Sequence, residues 1–278
     1  MKKIPLVSII TPSYNQGQFL EETILSVLKQ DYPNIEYIIV DGGSDDNSTD
    51  IIRKYEQYLA WWVSETDNGQ SHAIIKGFNK AKGDYISWLC SDDILEPSAI
   101  SISVAFLEKY NLAGVSFGNR TRIDEKGNIV GFSKKGSFKK TFLKFGMTLP
   151  QETCLIRRSV YEQTDGIDKD LEMAMDFDLW CKLIQVAPFI HIPAFLGRFR
   201  THATNKSSLY SAEMADSGFD EGRPKEHASL MKRFFGFVPT KTAIKIVRRI
   251  ASFLMILERL GQSYKEKKKI IKEIKSNL

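Results

Sequence analysis

Asp92 and Asp93 stand side by side where a short apolar run gives out, a carboxylate pair placed like a hard-cation site. Mg2+ or Mn2+ prefers a few carboxylates plus substrate phosphates over a full cage of protein ligands. Three other polar clusters follow apolar runs in the same way: Thr-Pro-Ser-Tyr-Asn at 11–15, Asp-Gly-Gly-Ser at 41–44 and Glu-Thr-Asp-Asn-Gly-Gln at 65–70. Apolar packing has no use for these residue types. Tyr14 offers a ring to stack on a base, and Asp41 offers an acceptor to a base imide. Gly42 and Gly43 beside it let backbone approach a ligand closely. Gln70 offers its amide to sugar hydroxyls. These types suit a nucleotide. A further carboxylate, Asp176, opens the segment Asp-Phe-Asp-Leu-Trp-Cys-Lys-Leu-Ile, where a helix dipole favours negative charge.

The elements that must position these groups alternate. Leu6–Thr11, Ile35–Val40, Trp61–Ser64 and Asp84–Leu89 read as short buried strands. Between them, apolar residues recur at helical spacing from Phe19 to Leu28, and further helices are expected over Ile51–Tyr58 and Ser71–Ala81. Asp45 and Asp46 are expected to cap the second of these helices. Strand–helix alternation implies a mostly parallel sheet covered on both faces. Ligands of such sheets bind beyond the carboxyl ends of the strands, and all four polar clusters fall on that rim. After about residue 110 the rhythm changes to a hairpin over Val115–Ile123 and Ile129–Phe132, a strand at Thr153–Ile156, a helix at Asp176–Val186 and an extended segment at Phe189–Arg200.

Composition narrows the class. With 278 residues, 42% hydrophobic and 26% charged, the chain is neither disordered nor fibrous. Cys90, Cys154 and Cys181 lack the CxxC spacing of a zinc site and read as free thiols, Cys90 as a small buried residue. No signal peptide or bilayer-spanning run is read, so a cytosolic protein is expected. Neither GxGxxG nor GxxxxGK[ST] occurs. The net charge of +5 is unevenly spread: residues 223–278 hold 15 Lys or Arg against 4 acids, on a body that is itself acidic. On a helical wheel Lys241, Lys245, Arg248, Ser252 and Arg259 share one face, opposite Ile246, Val247, Ile250, Phe253, Leu254 and Leu257. That pattern suits a helix lying on an anionic membrane surface.

VSIITPSYNQGQFLEETILSVLKQDYPNIEYIIVDGGSDDNST, followed by ETDNGQSHAIIKGFNKAKGDYISWLCSDD and GIDKDLEMAMDFDLWCKL, resembles the inverting nucleotide-sugar glycosyltransferases of family 2, which have the GT-A fold. The resemblance runs to about His202. It implies that Pro12, Tyr14 and Asp41, with Asn15 and Gly42 beside them, line a uridine-type base, and that Asp67 and Gln70 lie on the donor side. It implies that Asp92 contacts ribose or metal, that Asp93 ligates the divalent ion on the diphosphate, and that His202 joins that metal site. Asp176 matches the family's catalytic base. Two positions depart: Cys90 replaces the first acidic element of an Asp-x-Asp motif, and Met175 replaces the Glu that commonly precedes the base.

The chemistry expected is metal-dependent transfer of a sugar from a UDP-type donor to a hydroxyl of a glycan or polyprenyl-linked glycan, with inversion. A metal stabilises the leaving phosphate and one carboxylate takes the acceptor proton; a hydrolase would need an acid and a second carboxylate across one bond. The expected architecture is an α/β GT-A (Rossmann-like), mostly parallel sheet flanked by helices. Residues 1–203 would form that domain (1–110 nucleotide-binding, 111–203 acceptor-binding), 204–239 a linker, and 240–278 a basic amphipathic helical tail at the inner membrane face. Two alternatives carry less. Nucleotidyl transfer needs a Gly-rich basic loop after the first strand, and none follows. Nucleic-acid binding by the tail lacks interleaved aromatics, so no nucleic-acid partner is expected.

Overall fold

A computed structural model describes residues 3–138, 140–146, 148–206 and 225–276. The first half alternates as expected. Strands β1 (Val7–Ser13), β2 (Ile35–Asp41), β3 (Trp61–Ser64) and β4 (Tyr85–Trp88) are separated by helices α1 (Gly17–Leu28), α2 (Ser48–Tyr55) and α3 (Gln70–Lys80). β1 is buried along its whole length and pairs in parallel with β2 and β4, while β2 pairs in parallel with β3. Successive residues of β1 enter opposite layers, as the two-residue period of a strand requires. Val7 and Ile9 join one core with Leu20, Ile24 and Phe106; Ile10 joins the other with Ile74, Trp88 and Trp180.

The second half extends the same sheet. It comprises β5 (Ile94–Leu95), α4 (Ala99–Lys109), β6 (Val115–Ile123), β7 (Ile129–Ser133), α5 (Lys140–Leu143), β8 (Leu155–Arg157), α6 (Arg158–Tyr161), α7 (Met175–Val186) and β9 (Phe189–Arg200). The order is β3-β2-β1-β4-β8-β6-β9-β5, with β7 hydrogen-bonded to β6 off that path. β8 runs antiparallel to both β4 and β6, whereas β9 runs parallel to β6 and antiparallel to β5. The rings of Trp88 and Trp180 stack at 5.8 Å between centroids, fixing α7 against β4.

Part of the expected linker is helix. Residues 207–224 lie outside the described residues, but α8 (Lys225–Phe235) buries Leu230 and Met231 in the core that also holds Trp88 and Trp180. The apolar pair sits among polar residues, so composition over that stretch masks it. The tail is two helices, α9 (Lys241–Leu260) and α10 (Gln262–Ser276), broken at Gly261. Thr240 caps α9 by accepting the Ala243 N–H at 3.3 Å. Ile244 and Ala251 turn inward, and Glu258 accepts the backbone N–H and hydroxyl of Ser137, each at 2.7 Å. Ile271 of α10 is buried against the layer that holds α4. Both tail helices therefore pack on the body.

Because Met231 is fully buried, Met231→Ala should lower unfolding free energy by about 2–3 kcal/mol with an unchanged denaturant slope. Exposed Lys232→Ala should stay within about 0.5 kcal/mol of wild type. Equal stabilities of the two variants in urea would return residues 225–235 to a linker role.

Candidate active site

The carboxyl ends of β1 to β4 open into one cleft of about 710 Å3. Pro12, Tyr14, Gly42, Asp67, Gln70, Asp92, Asp93 and Asp176 all line it. Four polar clusters separated by up to 80 residues thus meet because parallel strands end on one rim. Asn15, Asp41 and His202 do not line it: the first two hold the loops after β1 and β2, and His202 touches Asp92.

At one end Tyr14 is 62% exposed, a free ring beside Pro12. Asp41 is fully buried, and both its oxygens are engaged by its own loop. Oδ2 accepts from Ser44 N–H at 2.9 Å, Gly43 N–H at 3.2 Å and the Ser64 hydroxyl at 2.7 Å, while Oδ1 accepts from the Ser44 hydroxyl at 2.6 Å. Its visible work is to shape the turn after β2. Gly43 has φ +81°, which favours glycine there, whereas a Cβ on Gly42 would come within 3.2 Å of Asp67 Oδ1 and press on that side chain. Asn15 has φ 50°, and its side chain accepts the Asp45 N–H at 3.0 Å. Ser44 accepts the Asn15 N–H at 2.9 Å, so the two loops are tied together. A left-handed non-glycine residue held by both neighbours is a site where backbone strain is stored. Asp46 accepts from Gly17 and Ser48 N–H at 2.8 Å each, the capping role expected of it.

After β4 the chain makes the acidic turn. Ligating atoms of Cys90, Asp92 and Asp93 lie within 4.8 Å of one another. Burial pushes the Asp93 carboxyl well above the ordinary range, reinforced by Asp92 and Glu152 and opposed by the Arg200 N–H and Arg120. Burial likewise raises the Cys90 thiol, with the two aspartates adding to it. A protonated thiol is a poor partner for a hard cation, whereas two carboxylate oxygens at this spacing suit one. The donor set therefore fits Mg2+ or Mn2+ through Asp92 and Asp93, with Cys90 as a neighbour. His202 Nε2 lies 3.0 Å from Asp92 Oδ2 and its Nδ1 lies 3.0 Å from Thr204 Oγ1, so the ring orients Asp92 from behind. Arg200 donates its N–H to Asp93 Oδ1 at 3.0 Å and its Nε to the Asp92 carbonyl at 2.9 Å.

Across the cleft, Asp176 occupies the first turn of α7. Its Oδ1 accepts the Phe177 N–H at 2.7 Å. Burial raises its carboxyl above the ordinary range, against that bond and the positive charge of Arg120. Asp178 points away, 2.6 Å from Lys182 Nζ, which fits its structural reading.

Three cleft residues escaped sequence reasoning. Arg120 of β6 forms a two-pronged pair with Glu152, through Nε at 2.7 Å and through Nη2, and stacks on Phe199 at 4.5 Å. Lys206 reaches the Glu172 carbonyl at 2.6 Å. Arg120 and Arg122 both stand in the strand Val115–Ile123, so the sequence offers no signal that singles out Arg120. Glu152 and Lys206 carry none.

The comparisons agree with this geometry. A family model described as Glycosyl transferase family 2 matches residues 8–164. An uncharacterized glycosyltransferase from Rickettsia felis is 33% identical over 217 residues, covering 74% of this chain and 36% of that protein. The chain thus spans about a third of that relative's length. A crystal structure of S. aureus TarS 1–349 with UDP-GlcNAc superposes at TM-score 0.61 and 17% identity, covering 82% of this chain and 71% of that one. The mannosyltransferase PcManGT from Pyrobaculum calidifontis, with GDP-Man and Mn2+, gives TM-score 0.59 and 16% identity over 98% and 86%. These likenesses establish the GT-A fold.

Glu152 has a side chain 1% exposed, so its pairing with Arg120 is decisive. Arg120→Ala should cost about 3 kcal/mol of unfolding free energy, because it strands a buried charge. Adding Glu152→Gln should recover much of that loss in the same denaturant titration. A double variant no more stable than Arg120→Ala would show that the pair is not the source.

Proposed function

The chain belongs to glycosyl transferase family 2, and from that premise we propose that it transfers a sugar from a nucleotide diphosphate, of the uridine type, to a hydroxyl of a glycan or lipid-linked glycan. The observation that carries this reading is the shared cleft: a half-buried carboxylate, Asp176, on one wall and the Asp92–Asp93 turn on the other. Tyr14 and Pro12 would hold the base, with Asp41 and Asn15 keeping their loop in shape. Asp67 and Gln70 would face the donor. A divalent ion held by Asp92 and Asp93 would neutralise charge on the leaving diphosphate. His202 would serve that site by orienting Asp92. TarS was crystallised with UDP-GlcNAc and PcManGT with GDP-Man and Mn2+; a metal and a nucleotide sugar in such folds support the reading here.

Asp176 would take the proton of the attacking hydroxyl. Oδ1 accepts the Phe177 N–H and the Thr148 hydroxyl supports the ionised carboxylate, which leaves Oδ2 as the oxygen not held by the backbone. Glu152 is another carboxylate deep in the wall, and its bonds to Arg120 hold it there. One free base supports single displacement with inversion. We assign residues 1–203 to the GT-A domain, as nucleotide half 1–110 and acceptor half 111–203.

The tail would hold the enzyme on an anionic membrane at its cytoplasmic face. No helix among the described residues is long and apolar enough to cross a membrane. Ile246, Ile250, Phe253, Leu254, Ile256 and Leu257 of α9 are each at least 40% exposed, with Lys245, Arg248 and Arg249 exposed beside them. Apolar and basic groups together match a lipid surface bearing negative headgroups.

Two experiments test these readings. Asp176→Asn should lower kcat by roughly 10²–10⁴ with donor affinity nearly unchanged. In the wild type, kcat/KM should rise with pH along an acid limb above the ordinary carboxylate value of 3.8, because the base must be ionised. The sign for stability is the opposite. A folded-state pKa raised by burial stabilises at low pH, and that contribution is lost as pH rises through it. At neutral pH the amide should therefore melt at or above wild type. A lower melting temperature with normal turnover would leave Asp176 as a helix-starting residue alone. For the tail, Ile250→Glu with Phe253→Glu should abolish sedimentation with phosphatidylserine vesicles while melting stays unchanged. Undiminished sedimentation would remove the membrane assignment.

A further inference from the structure

The helix that carries Asp176 begins without a capping side chain of its own, since Ala174 stands at its N-cap. The three residues leading into it turn their backbone N–H groups toward one carboxylate. Glu226, in the first turn of α8, accepts the Glu172 N–H on Oε1 at 3.0 Å. Its Oε2 accepts the N–H groups of Met173 and Ala174 at 2.8 and 2.9 Å. From the other side Lys206 Nζ donates to the Glu172 carbonyl at 2.6 Å. Further along, the His227 and Phe177 rings lie 4.4 Å apart, and Arg233 comes within 4.0 Å of Asp178. Helix α8 thus lies along the first turns of α7.

We propose that Glu226 is a positioning residue for the transfer reaction: it fixes the Glu172–Ala174 loop and thereby aims the free oxygen of Asp176. This rests on Asp176 acting as the base. Three charge-assisted bonds to consecutive N–H groups set the backbone of three residues at once. Two of those residues, Glu172 and Met173, line the same cleft as Asp176. Asp176 Oδ1 is held by the Phe177 N–H of the same turn, so a shift of that turn carries the carboxylate with it relative to Thr148 and the cleft. A general base acts only within hydrogen-bond reach of its proton. Misplacement by about 1 Å costs on the order of 10²-fold in rate. The working catalytic unit therefore extends past residue 203 to include α8.

The test uses the full chain and four variants: Glu226→Ala, the near-isosteric Glu226→Gln, Asp176→Asn, and Asp176→Asn with Glu226→Gln. The probes are Mn2+-dependent UDP affinity and turnover of UDP-GlcNAc with water as acceptor, each per folded molecule. Glu226→Ala should lower kcat by about 10²-fold with UDP affinity unchanged, and Glu226→Gln, which keeps one accepting oxygen, should fall between it and wild type. Because Glu226 acts through Asp176, Glu226→Gln should cost nothing further in the Asp176→Asn background. A lower melting temperature with normal kcat would overturn the proposal, as would a parallel fall in kcat and UDP affinity. So would full additivity in the double variant. If Asp176→Asn itself turns over normally, the base assignment fails first. If Asp176→Asn is impaired while both Glu226 variants are normal, the base stands and the positioning role alone falls.

Discussion

Asp92, Asp93, Glu152 and Asp176 share one cleft, and the repulsion among them governs much of what surrounds it. Two carboxylates within 4.8 Å, as at the acidic turn, repel by about 3 kcal/mol at an effective dielectric near 20. Burial adds to that cost by removing water from the charged form. The fold offsets each charge separately. Arg120 grips Glu152, His202 meets Asp92, the Arg200 N–H meets Asp93, and the Phe177 N–H meets Asp176. Three of these four partner residues belong to β6 or to the segment from Arg200 onward, which explains why the second half of the chain must join the sheet of the first. Arg200 is buried and itself held by Glu22, Asp92 and the carbonyls of Asp124 and Glu125. A single strand end thus braces the acidic turn against the α1 side of the sheet.

The offsets leave an uneven balance. Burial holds Asp93 and Asp176 above the ordinary carboxylate range, and at Asp93 the charges of Asp92 and Glu152 add to it, so part of the cost of gathering these groups is stored. A divalent ion would relieve it at Asp93, and an acceptor proton would relieve it at Asp176. Both reliefs would coincide with steps of the proposed transfer reaction. Perturbed carboxylates in a cleft are a pointer to function for this reason.

Local pattern made the first half legible. β1 to β4 and α1 to α3 are written in short-range periodicity, and their order along the chain places the polar clusters on one rim. Pro12, Tyr14, Gly42, Asp67, Gln70, Asp92 and Asp93 accordingly line one cleft, and Asp176 reaches it from α7. What stayed hidden depends on distant partners. Asp41 reads as a free acceptor until Ser44 and Ser64 are seen to occupy it. Glu152 and Arg120 are 32 residues apart, and neither carries a mark of the other. His202 reads as a metal-site residue, and only the structure shows its Nε2 3.0 Å from Asp92 Oδ2. The helix α8 was obscured by its polar composition, because two buried side chains suffice to dock it.

The tail shows how one helix can serve two surfaces. α9 turns Ile244 and Ala251 inward and anchors Glu258 to Ser137, yet leaves a row of large apolar residues in solvent. Exposed side chains of that size in a contiguous row are unusual for a surface that meets only water. α10 returns to the body at Ile271, and its Lys267 lies 3.7 Å from Glu258, so the two helices are locked to each other and to the domain. The apolar row is therefore held in a fixed direction relative to the cleft. If that row rests on lipid, the domain is oriented on the membrane as well as attached to it, and the cleft meets its acceptor at a set angle. That arrangement suits an acceptor carried on a lipid, because attachment alone would leave the cleft free to face away from the surface.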